Sequence, residues 1–265
     1  MRLLSRPRLD LRLVELGLAE SRERAQALVM AGRVRVDGRP ASKPGAAVGP
    51  EAALEVLPGP EHVGRGALKL EGALRVLGLD PAGRTAVDVG ASTGGFTEVL
   101  LGHGAARVYA VDVGRGQLHE RLRQDPRVLL RERVNARLLS PADVPEACGL
   151  AVIDVSFISL ALILPALRSV LQPGADVLAL VKPQFEVGRE QVGRGGIVAD
   201  PALHRQALLG VAAAARGLGY AVRGACPSPI TGSQGNREFF LHLAHARAPD
   251  DAPGWEQALL GAVEP

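Results

Sequence analysis

Several apolar runs in the second part of this chain each close on a polar residue that could do chemistry. They are Thr85-Ala-Val-Asp88-Val, Val108-Tyr-Ala-Val-Asp112-Val, Leu150-Ala-Val-Ile-Asp154 and Val177-Leu-Ala-Leu-Val-Lys182. If each run is a strand of an open α/β sheet, these side chains gather at the carboxyl edge, where such sheets bind ligands. Lys182 is singled out by scarcity: of 31 basic residues only three, Lys43, Lys69 and Lys182, are lysine. Arginine supplies charge and bidentate hydrogen bonds, whereas lysine is the basic side chain able to shed a proton. Lys182 is therefore a candidate base, with Asp154 beside it, although an ion pair of purely structural purpose fits the same spacing equally well. Pro183 keeps Lys182 out of helical geometry and helps to stop the strand. Lys69 lies in Gly64-Arg-Gly-Ala-Leu-Lys-Leu-Glu, an amphipathic helix start, and Glu238 opens the last apolar run as Glu238-Phe-Phe.

A glycine loop accompanies this set. Asp88-Val-Gly-Ala-Ser-Thr-Gly-Gly-Phe-Thr97 follows one predicted strand and precedes a helix, the context a nucleotide-binding loop requires. Its Gly-x3-Gly-Gly spacing is neither the Gly-x-Gly-x-x-Gly of a dinucleotide site nor a P-loop with its Gly-Lys-Ser/Thr ending. An acid at Asp88 repels phosphate and suits a cationic ligand, so S-adenosylmethionine fits better than a nucleotide. Asp112, 24 positions after Asp88, can accept hydrogen bonds from ribose hydroxyls. The loop positions expected to hold the cofactor are Asp88, Gly90, Ser92, Gly94, Gly95 and Phe96, with Asp112 and Val113 on the next strand.

The elements that must position these residues read as strand alternating with helix from residue 85. Strands are expected over Ala86–Val89, Val108–Val113, Val128–Leu130, Ala151–Val155, Val177–Val181, Tyr220–Ala225 and Glu238–Leu243. Helices are expected around Phe96–Gly102, Gln117–Arg123, Leu160–Leu171 and Pro201–Leu218. That alternation implies a doubly wound, mostly parallel, seven-stranded Rossmann-like sheet, its last two strands suiting an antiparallel edge. The domain is placed at 85–246, with 61–84 as a linker and the helix carrying Lys69, and 247–265 as a C-terminal tail.

Residues 1–60 read differently, as a small α+β module. Helices are expected over Arg8–Leu18 and from an N-cap at Ser21 to Gly32. A strand from Arg33 then enters an Asp37-Gly38 turn, a second apolar run follows at Leu54–Leu57, and Pro58-Gly-Pro60 serves as linker. The segment holds 10 Lys and Arg against 7 Asp and Glu, which accounts for the whole net charge of +3. Localised positive charge suits a phosphate backbone, though a solvated helix face explains it about as well. Arg22, Arg24, Arg33, Arg35 and Arg39 are the expected RNA contacts.

These strings together resemble the TlyA family, hemolysin-like proteins that join an S4-type RNA-binding domain to an FtsJ-like methyltransferase domain. The resemblance spans nearly the whole chain. It is carried by Ser21-Arg-Glu-Arg-Ala, Gly32-Arg-Val-Arg-Val-Asp-Gly, Arg65-Gly-Ala-Leu-Lys-Leu, Asp88–Phe96, Asp154-Val-Ser-Phe-Ile-Ser and Lys182-Pro-Gln-Phe-Glu-Val-Gly. It implies an S4-like fold for residues 1–60 and S-adenosyl-L-methionine as cofactor. It also implies 2′-O-methylation of cytidine in ribosomal RNA of both subunits. The Lys-Asp-Lys-Glu tetrad of FtsJ-like ribose methyltransferases then falls on Lys69, Asp154, Lys182 and Glu238. Asn135, in Val134-Asn-Ala-Arg, is the nearest match to a residue beside the adenine. The competing reading is a non-catalytic RNA-binding factor of ribosome assembly that keeps the cofactor fold.

The remaining features exclude more than they assign. Two distant cysteines, Cys148 and Cys226, read as reduced thiols, and no signal peptide or apolar run of spanning length is evident, so a cytoplasmic protein without a membrane partner is expected. His242-x-x-His245 lacks further ligands and would point to opposite faces of a strand, so no metal is expected. Gly188–Gly196 reads as a loop near substrate or a plain connector, and Trp255 as a packing anchor.

Overall fold

The computed structural model describes residues 7–30, 32–41, 43–57, 62–232, 235–246 and 254–264. The expected linker Pro58–Pro60 lies outside them. The chain forms two compact units, Met1–Glu61 and His62–Pro265.

In the first unit, α1 (Leu9–Glu15) and α2 (Arg22–Met30) precede a small antiparallel sheet of β1 (Val34–Val36), β2 (Arg39–Pro40) and β3 (Leu54–Val56), ordered β2-β1-β3. Helix α1 is shorter than expected because the chain turns at Gly17, where φ is +69°. Ser21 does cap α2: its Oγ accepts the Arg24 amide at 3.1 Å. The β1–β2 hairpin turns at Asp37 and Gly38, both with positive φ (49° and 73°), as a two-residue turn matched to strand twist requires. Leu9, Leu13, Ala25, Leu28, Val29 and Val34 close over one another as its core.

The second unit begins with α3 (Gly66–Leu77) and runs through β4 (Thr85–Val89), α4 (Gly95–Gly102), β5 (Arg107–Asp112), α5 (Glu120–Arg123) and β6 (Val128–Glu132). It continues through β7 (Cys148–Ile153), α6 (Leu164–Leu167), β8 (Leu171–Val181), α7 (Pro183–Glu186), α8 (Pro201–Gly217), β9 (Tyr220–Pro227), β10 (Phe239–His245) and α9 (Trp255–Gly261). The seven strands are ordered β6-β5-β4-β7-β8-β10-β9, and only β10 runs antiparallel to its neighbours. Strand order reverses between β4 and β7, which opens a crevice at their carboxyl ends.

Strand alternation sorts the core into two layers. Val87, Val89, Ile153, Val177 and Val181 pack on one face under α6, α8 and α9, while Ala86, Val108, Leu150, Val152 and Leu180 pack on the other under α3 and α4. The expected helix over Leu160–Leu171 is broken into a 3-10 turn, the four residues of α6 and a second 3-10 turn, with Pro165 restarting the helix after Ile163. Only Glu120–Arg123 of the Gln117–Arg123 segment is helical. Within the expected tail, Leu259 and Val263 are buried in the core, and Trp255 packs against it beneath the Arg216 guanidinium.

Candidate active site

Strands β7 and β8 end one residue before Asp154 and Lys182, so both side chains leave the sheet at the crevice. The Lys182 ammonium lies 2.6 Å from Asp154 Oδ1 and donates to Ser156 Oγ at 3.0 Å. In the β10–β8 register Phe239 faces Val181, which sets Glu238 beside Lys182. Glu238 is buried and accepts from Lys69 Nζ at 2.6 Å. The four residues thus form two ion pairs at neighbouring strand ends.

The crevice holds a cleft of about 1130 Å³, with Gly90, Ser92, Asp112, Val113, Asn135 and Asp154 among its walls. A narrower recess of about 220 Å³ is lined by Gly66, Gly95, Phe96, Asp154, Ser156 and Lys182, among others. Lys69 and Glu238 line neither space.

The glycine loop is shaped as much by the chain as by any ligand. A Cβ at Gly90, where φ is +89°, would run into the Asp154 carbonyl. A Cβ at Gly95 would stand 2.8 Å from the Ala67 amide nitrogen, so glycine there lets the helix bearing Lys69 close on the loop. Gly94 is the N-cap of α4 and lines neither space.

Asp112 does face the cleft, and its carboxylate accepts the Ser92 amide at 2.8 Å and the Gly114 amide at 2.6 Å. Each oxygen keeps a lone pair for a ribose hydroxyl. Asn135 turns its side-chain oxygen back to the Arg137 amide at 3.1 Å, on a cleft wall it shares with Val134 and Ala136.

Asp88 departs from expectation. It lies inside β4, fully buried, and reaches neither cleft nor recess. Its Oδ2 accepts from Thr97 Oγ1 at 2.7 Å, and Oδ1 has no hydrogen-bond partner among the described residues. Burial pushes its carboxyl up to about 7, against the lowering effect of Thr97. An orphaned acid under the loop, an apolar Val113 and the carboxylate of Asp112 together fit a cationic nucleoside and would repel a phosphate.

A family model described as FtsJ-like methyltransferase matches residues 62–245, and an S4 domain model matches residues 7–54. The chain belongs to the TlyA family of FtsJ-like methyltransferases. It is 52% identical over 240 residues to the 16S/23S rRNA (cytidine-2′-O)-methyltransferase TlyA of Mycobacterium tuberculosis, covering 90% of each chain. The 23S rRNA (cytidine-2′-O)-methyltransferase TlyA of Campylobacter jejuni is 34% identical over 68% of this chain and 70% of its own. A hemolysin-named structure from Streptococcus thermophilus superposes with a TM-score of 0.73 at 44% identity, covering 98% and 96% of the two chains. As a methyltransferase of this family the chain uses S-adenosylmethionine.

Three features of the cleft escaped the sequence reading. Phe157 has a positive φ of 65° and is 90% exposed on the cleft wall, an unusual placement for a large apolar residue. Ser156 touches Lys182. Glu186 ties the two loops together, accepting from Ser159 Oγ and the Leu160 amide. All three sit inside the two strings that carried the TlyA family resemblance, but no periodicity or spacing marks them out.

Of the expected RNA contacts, Arg22, Arg24, Arg35 and Arg39 are exposed. Arg22 donates to the buried Asp10 at 3.2 Å. Arg33 differs: its guanidinium grips the Leu57 carbonyl at 3.1 and 2.9 Å, securing the end of β3 rather than facing solvent freely. Asp10 also accepts from Arg8 and Gln26, and the Arg8 guanidinium holds its carboxyl well below the usual range.

Among the described residues no cluster of three or more His, Cys, Asp and Glu could hold a metal, and no helix is long and apolar enough to cross a membrane. The bulge beside His242 and Leu243 puts its extra residue on β9, and β10 pairs with β8 without a break from Phe239 to Ala244, so the alternation expected for the two histidines stands. Their rings bond to Asp176 and to the Gln172 carbonyl, both on β8.

Proposed function

We propose that this protein methylates the ribose 2′-oxygen of ribosomal RNA, at cytidine in the 16S or 23S molecule. The observation that carries this reading is the Lys182–Asp154 pair, held at the carboxyl edge of the central strands and open to the cleft. Relatives named for this reaction at 52% and 34% identity support it.

S-adenosylmethionine supplies an electrophilic methyl group on a positively charged sulfur. Gly90, Ser92, Gly95, Phe96, Asp112, Val113 and Asn135 would hold it, Asp112 through the ribose and Val113 and Asn135 around the base, while Gly94 shapes the loop and Asp88 acts from beneath it through charge. Lys182 has three N–H groups, and Asp154 and Ser156 take two of them. The third is free for the 2′-oxygen, aiming its remaining lone pair for in-line attack. Once one ammonium proton has passed to Asp154, the neutral Lys182 amine would take the 2′-hydroxyl proton, and the carbon–oxygen bond formed would be balanced by loss of the methyl carbon's bond to sulfur, whose electron pair would stay on the sulfur. Orientation of this kind can supply about 7–11 kcal/mol of the barrier reduction. Lys69 and Glu238 keep Lys182 and the recess in place.

Phe157 offers its ring on the cleft wall as a platform for an RNA base, since single-stranded bases are commonly held by aromatic stacking. Arg24, Arg35 and Arg39, with Arg22 steadied by Asp10, would contact the phosphate backbone, while Arg33 holds the end of β3.

The test is transfer of labelled methyl from S-adenosylmethionine to ribosomal subunits and free rRNA, followed by mapping of 2′-O-methyl positions. A new 2′-O-methylcytidine is expected. Tight rRNA binding with no transfer to any ribosomal substrate would make the chain a non-catalytic assembly factor instead.

A further inference from the structure

The two most distinctive strings of this sequence, Asp154–Ser159 and Lys182–Gly188, are explained only in part by catalysis, which uses Asp154 and Lys182. Past the last β7–β8 backbone pair, Ile153 with Ala179, side chains alone tie the two segments together. Asp154 and Ser156 meet Lys182 at 2.6 and 3.0 Å, the Phe157 and Phe185 rings meet at a tilt of 48° with centroids 5.1 Å apart, and Ser159 meets Glu186 at 2.7 Å. The ties run in step along both segments, and the last is a double one. Glu186 spends both carboxylate oxygens on it, since Oε1 also accepts the Leu160 amide at 2.9 Å. Burial pushes its carboxyl up, while the two donors oppose that shift.

This anchor closes a loop that has reason to relax. Phe157 combines positive φ with an exposed aromatic ring, a conformation that costs about 1–3 kcal/mol and persists only where its surroundings enforce it. With Asp154 fixed at one end by Lys182 and Leu160 at the other by Glu186, the residues between have no slack.

We propose that Glu186 is a positioning residue of the methyl-transfer site, latching the 154–160 loop so that Phe157 is presented to the substrate base and Ser156 to Lys182. The proposal rests on the reading of the cleft as a ribose methylation site. Glu186 itself lines neither the cleft nor the recess.

The test compares Glu186→Ala, Glu186→Gln and Ser159→Ala in the full chain. The readouts are S-adenosylmethionine affinity by calorimetry, KM and kcat on ribosomal subunits, and amide exchange at Leu160. Glu186→Ala should lose about 100-fold in kcat/KM for RNA, the scale of a displacement near 1 Å, with cofactor affinity unchanged within about twofold. Its Leu160 amide should exchange about tenfold faster. Glu186→Gln, whose amide can still accept from Leu160 and bond Ser159, should restore most of the activity. If Glu186→Ala fails to fold, Ser159→Ala, which removes one tie of two, should show the same KM-weighted loss at smaller size. Wild-type kinetics in Glu186→Ala and Ser159→Ala, or equal inactivity in the glutamine variant, would overturn the proposal. The exchange readout is independent of methyl transfer: an unlatched Leu160 in a chain that methylates no RNA would overturn the functional reading but not the latch.

Discussion

Lys182 and Asp154 meet at 2.6 Å across the ends of two adjacent parallel strands, with Ser156 taking a second proton of the same ammonium. This arrangement leaves one N–H for substrate and one carboxylate to receive a proton. Arginine keeps the charge but does not give up a proton in proteins. Lys182→Arg should therefore lose about 10²–10⁴-fold in single-turnover rate, the range of general acid–base catalysis, while still binding RNA and cofactor. Near-normal turnover in that variant would sink the proton-transfer role and leave only charge.

The Lys69–Glu238 pair is more deeply enclosed, with side chains 11% and 3% exposed. Breaking a buried pair strands one charge without a partner, which typically destabilises by about 3–5 kcal/mol, whereas replacing both partners by apolar groups is often neutral. Lys69→Met and Glu238→Leu should each lower the melting temperature, and the double variant should recover most of that loss while remaining inactive. If the double variant melts as low as the worse single one, the pair is not coupled as described.

How much of this site is legible in sequence depends on where a residue sits on a strand. Asp112, Asp154 and Lys182 follow apolar runs and were placed at the crevice by that pattern alone. Asp88 follows the same pattern but lies two residues deeper in the parallel register, level with Ala110 and Val152, where Thr97 of α4 covers it. Local pattern says where a chain stops being apolar, but not which neighbour covers the next side chain. Phe157 and Glu186 are fixed by each other's loops, a tertiary relationship with no local signature, and Pro165 broke a helix that apolar spacing alone made continuous.

Phe157 offers the sharpest test of substrate contact. Stacking of a base on an aromatic ring is worth about 1–3 kcal/mol, so Phe157→Ala should raise KM for RNA by roughly 5–150-fold. Phe157→Tyr should stay near wild type, because its ring is solvent-exposed and lacks a tight pocket. Cofactor affinity measured calorimetrically should not change in either variant. An unchanged KM in Phe157→Ala would remove the base-stacking role.

The arginines of the first unit should separate into two classes. Arg24, Arg35 and Arg39 are exposed, and each phosphate contact contributes about 0.7–0.9 to the slope of log affinity against log salt. Replacing all three by glutamine should flatten that slope by about 2 and weaken binding to any rRNA fragment. Arg33→Gln should chiefly lower the stability of the first unit, because its guanidinium secures the Leu57 carbonyl. A full loss of salt slope from Arg33→Gln alone would reverse this assignment.

Asp88 links cofactor and pH. Its carboxyl is raised by burial from 3.8 to about 7, so the folded state binds a proton that the unfolded state releases over that range. The stability it contributes is fully present below pH about 3.8 and is lost as pH rises through about 7. Stability should therefore fall from pH 5 to 8 more steeply in the wild type than in Asp88→Asn, which cannot titrate and can still accept from Thr97. A cation above the loop favours the ionised carboxyl, so S-adenosylmethionine should bind more tightly as pH rises through 7, and the bound protein should lose its excess pH slope. Thermal melts and calorimetric affinities across pH 5 to 8, for wild type and Asp88→Asn, measure both effects. Parallel pH slopes in the two proteins, with and without cofactor, would mean that Asp88 stays in one protonation state throughout and that the loop recognises its ligand by shape and the Asp112 carboxylate alone.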